Sequence, residues 1–144
     1  MKATFLYGRR RIEVDVPDGS VFYESGFPPA AVSAEQAALQ AVRSPVGTPP
    51  LAQALRESGA ESVAIVVSDV TRPIPYAHFL PALLDEIGAA GVPREGILIL
   101  IATGMHRPST EAERIEMFSS HVTENYRIVD HDAMDPDGLV EVEG

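Results

Sequence analysis

A chain of 144 residues, 45% hydrophobic and 22% charged, has the size and composition of a single globular domain. Its net charge of −10 repels phosphate backbones and anionic bilayers, so neither nucleic acid nor a membrane surface is an expected partner. The absence of cysteine excludes disulfides and thiolate metal sites.

No apolar run approaches the roughly 20 residues of a membrane span. Met1-Lys2-Ala3-Thr4-Phe5 leads into an alternating pattern rather than a signal peptide, and a cytoplasmic protein is expected. The charge is uneven: residues 111–144 hold ten acids against Arg114 and Arg127. Lys2 is the only lysine among the eleven lysines and arginines, so chemistry needing a lysine nucleophile inside the fold has no candidate.

Residues 3–7 and 11–16 read as strands joined through Gly8-Arg9-Arg10, with Ile12, Val14 and Val16 alternating against Arg11, Glu13 and Asp15 in a half-buried hairpin. Pro17-Asp18-Gly19 supplies a turn, and Pro28-Pro29 breaks the chain ahead of an alanine-rich helix over 34–43. Residues 44–50 cannot continue that helix, and a short one follows over 50–58, ending at Gly59.

From residue 61 the pattern becomes βαβαβ. Residues 62–67 form a near-continuous apolar run, as in a parallel strand covered on both faces. A helix is predicted over 77–89 from Leu80, Leu83, Leu84 and Ile87, with Pro81 confined to its first turn. Residues 97–102 make a second buried strand; Thr110 and Glu113 mark the start of the next helix as a capping box, and Tyr126-Arg127-Ile128-Val129 forms the third strand. The expected fold class is therefore α/β: one domain over 1–144, with an N-terminal β-hairpin and short helices followed by a parallel βαβαβ core.

Two motifs follow the first two core strands: Asp69-Val70-Thr71-Arg72-Pro73 and Thr103-Gly104-Met105-His106-Arg107-Pro108. Ligands bind at the carboxyl ends of parallel strands in open α/β sheets, because the turns there line a crevice and expose N–H groups. Arg72 offers a planar fork to a carboxylate or phosphate, with Thr71 as a further donor; alternatively Arg72 pairs with Asp69 inside the turn. His106 carries the residue type most used for proton transfer near neutral pH, and Gly104 permits a tight turn. His78 and His121 read as surface residues, while His131 ends the third strand beside Asp130 and Asp132. Four scattered histidines without paired spacing do not predict a metal site.

The segments S-D-V-T-R-P-I-P (68–75), A-T-G-M-H-R-P (102–108), S-P-V-G-T-P-P-L (44–51) and V-D-H-D-A (129–133) resemble the N-terminal part of the lactate racemase family, nickel-pincer-dependent 2-hydroxyacid racemases and epimerases. The resemblance implies a small 2-hydroxy acid as substrate and a nickel-pincer mononucleotide as cofactor. It implies proton chemistry at His106, substrate contacts from Arg72 and Arg107, and a cofactor-facing role for Asp69, Thr71 and Gly104. Family members are much longer, and their cofactor-tethering lysine, nickel-binding histidine and second catalytic histidine have no counterpart in this chain. It reads as half of a site, inactive alone and completed by a missing second half or a partner subunit. Two other classes fit the residues: a binding module holding a small anion on Arg72, Arg107 and helix N-termini, and a fragment that docks on a partner through its acidic C-terminal third.

Overall fold

The computed structural model describes residues 1–8, 10–23, 26 and 29–140. Arg9 of the hairpin link, Pro28 of the Pro28-Pro29 break and the last two acids of the acidic segment lie outside the described residues. The chain divides into two compact units, Met1–Ala30 and Ala31–Gly144.

In the first unit β1 (Lys2–Tyr7) and β2 (Arg10–Asp15) pair antiparallel, from Lys2 opposite Asp15 to Tyr7 opposite Arg10. The expected alternation is there, but the expected half-burial is not: Phe5, Ile12 and Val14 all remain exposed. Two strands enclose too little volume to hide a face of their own.

The second unit begins with α1 (Ala34–Arg43) and α2 (Leu51–Ser58). Ser33 and Gln36 form a full capping box on α1, and α2 ends at Gly59 in the left-handed conformation with φ of 61°. The core sheet follows, with β3 (Val63–Ser68), β4 (Ile97–Ala102) and β5 (Arg127–Asp130) parallel and in that spatial order. Between β3 and β4 lies α3 (Leu80–Ala89), and between β4 and β5 lie α4 (Glu111–Phe118) and α5 (Ser120–Asn125). The α/β class and the βαβαβ core are as the periodicity predicts.

Three differences have local causes. A 3-10 turn at Tyr76–His78 replaces the predicted start of α3, because a helix begun at residue 77 would place Pro81 against a carbonyl four residues back. The helix after Thr110 is two helices, divided at Ser119, which has a positive φ of 79°. Finally, β3 is covered on one face only: Val67 is buried, whereas Ala64 and Val66 are exposed.

Ile97, Ile99 and Ile101 of β4 anchor the core from the covered face. Leu80, Leu84 and Ile87 of α3 meet them, with Met117, Phe118 and Val122 from α4 and α5. Tyr76 is buried against Phe118, their ring centroids 5.5 Å apart, and its hydroxyl accepts the Ser68 N–H at 2.7 Å. That bond fixes the end of β3, from which the Asp69 turn departs. Arg43 of α1 and Glu86 of α3 pair at 2.6 Å; the bond raises the arginine's pKa and lowers the acid's.

Candidate active site at the strand ends

Ser68 and Ala102 are register partners at the carboxyl ends of β3 and β4, so the segments that follow them start side by side. After β3 the backbone turns, with the Arg72 N–H donating to the Asp69 carbonyl at 3.1 Å. The Asp69 carboxylate takes two further bonds on Oδ1, from the Thr71 N–H at 3.2 Å and the Thr71 hydroxyl at 2.6 Å. This is an Asx turn closed by a hydroxyl, which a Thr two residues after an Asp is well placed to make.

After β4 the His106 N–H donates to the Thr103 carbonyl at 3.1 Å, and Gly104 at the first central position has φ of 57°. That conformation is open to glycine at little cost. The turn carries the imidazole back over β3, where His106 Nδ1 is hydrogen-bonded to Asp69 Oδ2. Asp69 is buried at 6% exposure, while the His106 side chain is 58% exposed. The two oxygens of one carboxylate thus have separate tasks: Oδ1 is fixed by Thr71 and Oδ2 orients His106.

The Thr71 hydroxyl, then the His106 ring, hold the Asp69 carboxyl below its ordinary pKa despite its burial. Because an ionised carboxylate only accepts, His106 Nδ1 is the donor and Nε2 of the neutral ring keeps its lone pair. The ring is thus oriented through Nδ1 and mostly open to solvent.

A hollow of about 240 Å³ at this point is lined by Asp69, Val70, Thr71, His106, Arg107 and Ser109. Arg107 is at its wall, but its guanidinium is taken by Glu113 through two bonds of 2.8 and 2.7 Å and by the Pro108 carbonyl at 2.9 Å. The arginine, then the Thr110 N–H, bring Glu113 down to a pKa of about 2. Arg72 lines a neighbouring hollow with Pro73, Ile74, Pro75 and Glu116; Val70 is common to both. Among the described residues no ion pair holds the Arg72 guanidinium, and Asp69 turns its carboxylate to Thr71 and His106 rather than to Arg72. The expected turn pair is a backbone bond only.

Sequence reasoning missed what braces the His106 segment. Asp130 at the end of β5 accepts the Ser109 N–H at 2.9 Å and pairs with Arg114, and the buried Thr103 hydroxyl donates to the His131 carbonyl. Burial pushes the Asp130 carboxyl up, but the Ser109 and Arg114 bonds outweigh it and leave it below its usual range. The only advance signal was an Asp beside His131 at a strand end. The His131 N–H donates to the Ile101 carbonyl at 2.9 Å, so its backbone contributes to the brace. A larger hollow of about 660 Å³ lies beside β5 among Arg114, Thr123, Tyr126 and Arg127, and Ser109 lines both it and the hollow at His106.

The donor set does not suit a resident metal. Among the described residues no group of three or more His, Asp or Glu side chains is gathered to hold one. Lys2 lies in the hairpin with Nζ 3.4 Å from Glu13 Oε2. What the strand ends present is a buried carboxylate hydrogen-bonded to a mostly exposed imidazole. Among the described residues no helix is long and apolar enough to cross a membrane.

The lactate racemase N-terminal domain family matches residues 7–144, the whole strand-end site included. The chain belongs to that family. It is similar to the lactate racemase of Thermoanaerobacterium thermosaccharolyticum, 35% identical over 137 residues, covering 92% of this chain and 32% of the relative. It is also similar to the lactate racemase of Lactiplantibacillus plantarum, 29% identical over 140 residues, covering 94% and 32%. The solved lactate racemase apoprotein of T. thermosaccharolyticum superposes with a TM-score of 0.70 at 33% identity, over 95% of this chain and 31% of that one. This lactate racemase N-terminal domain thus spans about a third of the length of the relatives it matches.

Proposed function

We propose that this chain is the substrate- and cofactor-facing N-terminal portion of a 2-hydroxyacid racemase or epimerase of the lactate type. The observation that carries the reading is the His106 imidazole, oriented through Nδ1 by a buried carboxylate and open at Nε2. A base so placed takes the proton of a substrate hydroxyl and returns it, while Arg72, unpaired among the described residues, receives the carboxylate on its planar fork. Arg107 serves the reading differently from Arg72: with its fork on Glu113 it shapes the wall and the start of α4. Holding a nickel-pincer mononucleotide falls to groups this chain does not carry, with Asp69, Thr71 and Gly104 forming the rim that faces it. The chain alone is inactive, and a cytoplasmic setting suits the reading.

Titration with lactate, followed by amide chemical shifts, tests this. Resonances of residues 69–73 and 103–108 move with roughly millimolar affinity, because solvent screens an open site. Arg72→Ala abolishes the response and Arg107→Ala retains it. Wild-type shifts absent, or unchanged in Arg72→Ala, would overturn the substrate role of Arg72. Racemisation of lactate by the 144-residue chain supplied with nickel and cofactor would overturn the claim that it is half of a site.

A further inference from the structure

Residues 103–109, which carry His106, lie between β4 and α4 and belong to neither. Gly104 has a positive φ and Met105 is 76% exposed, so packing within the segment does little to hold the imidazole. The ring is mostly exposed as well, and among the described residues Asp69 is its one hydrogen-bond partner. A single hydrogen bond at such a position contributes less than the conformational entropy lost in ordering a segment of this length. The backbone must be held from elsewhere.

Both ends of the segment are tied to the end of β5. Ile101 and Asp130 are register partners, and the His131 N–H donates to the Ile101 carbonyl at 2.9 Å, so the ladder of β4 and β5 continues past the last residue of β5. At the start of the segment the hydroxyl of Thr103, a residue only 3% exposed, donates to the His131 carbonyl. At its end the Ser109 N–H donates to Asp130 Oδ1 at 2.9 Å, while Oδ2 of the same carboxylate is held by Arg114. The Asp130 side chain is 5% exposed, so water competes little for the Ser109 bond. His106 is thus served by a carboxylate from each flanking strand. Asp69 after β3 acts on the ring, and Asp130 of β5 acts on the backbone that delivers it.

We propose that Asp130 and Thr103 are positioning residues for His106, through which β5 clamps the segment at both ends and delivers Nδ1 to Asp69. The inference rests on the oriented imidazole of the proposed function and adds the groups that keep it oriented. Arg114 has a subordinate part: it neutralises Asp130, and the Ser109 bond does not run through it.

Asp130→Ala removes the acceptor of the Ser109 N–H. In the 144-residue chain the Ser109 amide of this variant exchanges with solvent at least about tenfold faster than in wild type. The Nε2–H form of the neutral His106 ring, minor in wild type, grows at least about threefold in long-range proton–nitrogen spectra. Arg114→Ala removes the ion pair but not the Ser109 acceptor, and leaves both readings at their wild-type values. Thr103→Val unties the other end and moves the ring in the same direction as Asp130→Ala, whereas Thr103→Ser keeps the hydroxyl and does not. A ring unchanged in Asp130→Ala while the Ser109 amide is freed overturns the proposal. So does an equal ring shift in Arg114→Ala, which would mark a general loosening. If Asp130→Ala does not fold, Thr103→Val decides, and a Ser109 amide already unprotected in wild type overturns the proposal with no variant at all. A wild-type ring without tautomer preference removes the reading of His106 itself; an Nδ1–H form that survives both variants removes only the clamp.

Discussion

Asp69 and His106 stand 37 positions apart in the chain, yet the carboxylate of one is hydrogen-bonded to Nδ1 of the other across the ends of neighbouring strands. Each is presented by its own turn, one closed by the Thr71 hydroxyl and one opened by Gly104. The link fixes which nitrogen of the exposed ring is available. Asp69 thus acts on His106 as a positioning residue, in addition to lining the rim.

Asp69→Asn reverses that control, because the Thr71 N–H and hydroxyl hold the amide oxygen and leave the amide nitrogen, a donor, facing Nδ1. In the wild type, long-range proton–nitrogen correlation spectra of the neutral His106 ring show the proton on Nδ1. In the variant the amide oxygen stays on the Thr71 donors and the amide N–H faces His106, so the ring proton moves to Nε2 while the fold is retained. A wild-type ring with no tautomer preference would remove the basis for treating His106 as an oriented base.

Glu113 carries a pH signature. Its folded pKa of about 2 lies below the ordinary 4.5, so the stability it brings is full above 4.5 and is lost as pH falls toward 2. Glu113→Gln is therefore less stable than wild type at neutral pH, and the difference shrinks across that acid range. Solvent exposure and salt keep the effect modest. Urea midpoints measured from pH 6 down to pH 2 check this, and a difference that stays constant with pH would place the role of Glu113 in helix capping alone.

Two glycines respond oppositely to the same substitution. A Cβ on Gly96 would lie 2.4 Å from the Glu61 carbonyl oxygen, a backbone atom that cannot step aside, whereas one on Gly88 in α3 meets nothing within 4 Å. Gly96→Ala costs about 1–3 kcal/mol by overpacking. Gly88→Ala gains about 0.5–1 kcal/mol from helix propensity. Urea denaturation of the two variants gives both signs, and a neutral Gly96→Ala would show that the segments entering β3 and β4 are free to separate.

Local signals set much of this architecture without help from tertiary contacts. The apolar runs before Asp69 and Thr103 become adjacent parallel strands, and the Thr110 and Glu113 capping box starts α4 where the sequence places it. Gly104 takes a positive φ in the turn before His106. Each is a preference of a few neighbouring residues, expressed by steric or hydrogen-bonding limits over one turn or one strand. Position at the strand ends followed from chain order, which is why the site region was legible.

Partner choice was not, because it is decided between residues far apart in sequence. Arg72, three residues after Asp69, reads either as a free fork or as that carboxylate's partner, but the register of β3 with β4 delivers His106 to the carboxylate and Thr71 closes it from the other side. Arg107 reads as a free cation beside a histidine, yet the start of α4 brings Glu113 onto both arms of its fork. The apolar runs look the same whether one face of a sheet is covered or two. Coverage depends on the direction of successive crossovers, and three strands advancing one way leave Val66 and its neighbours bare.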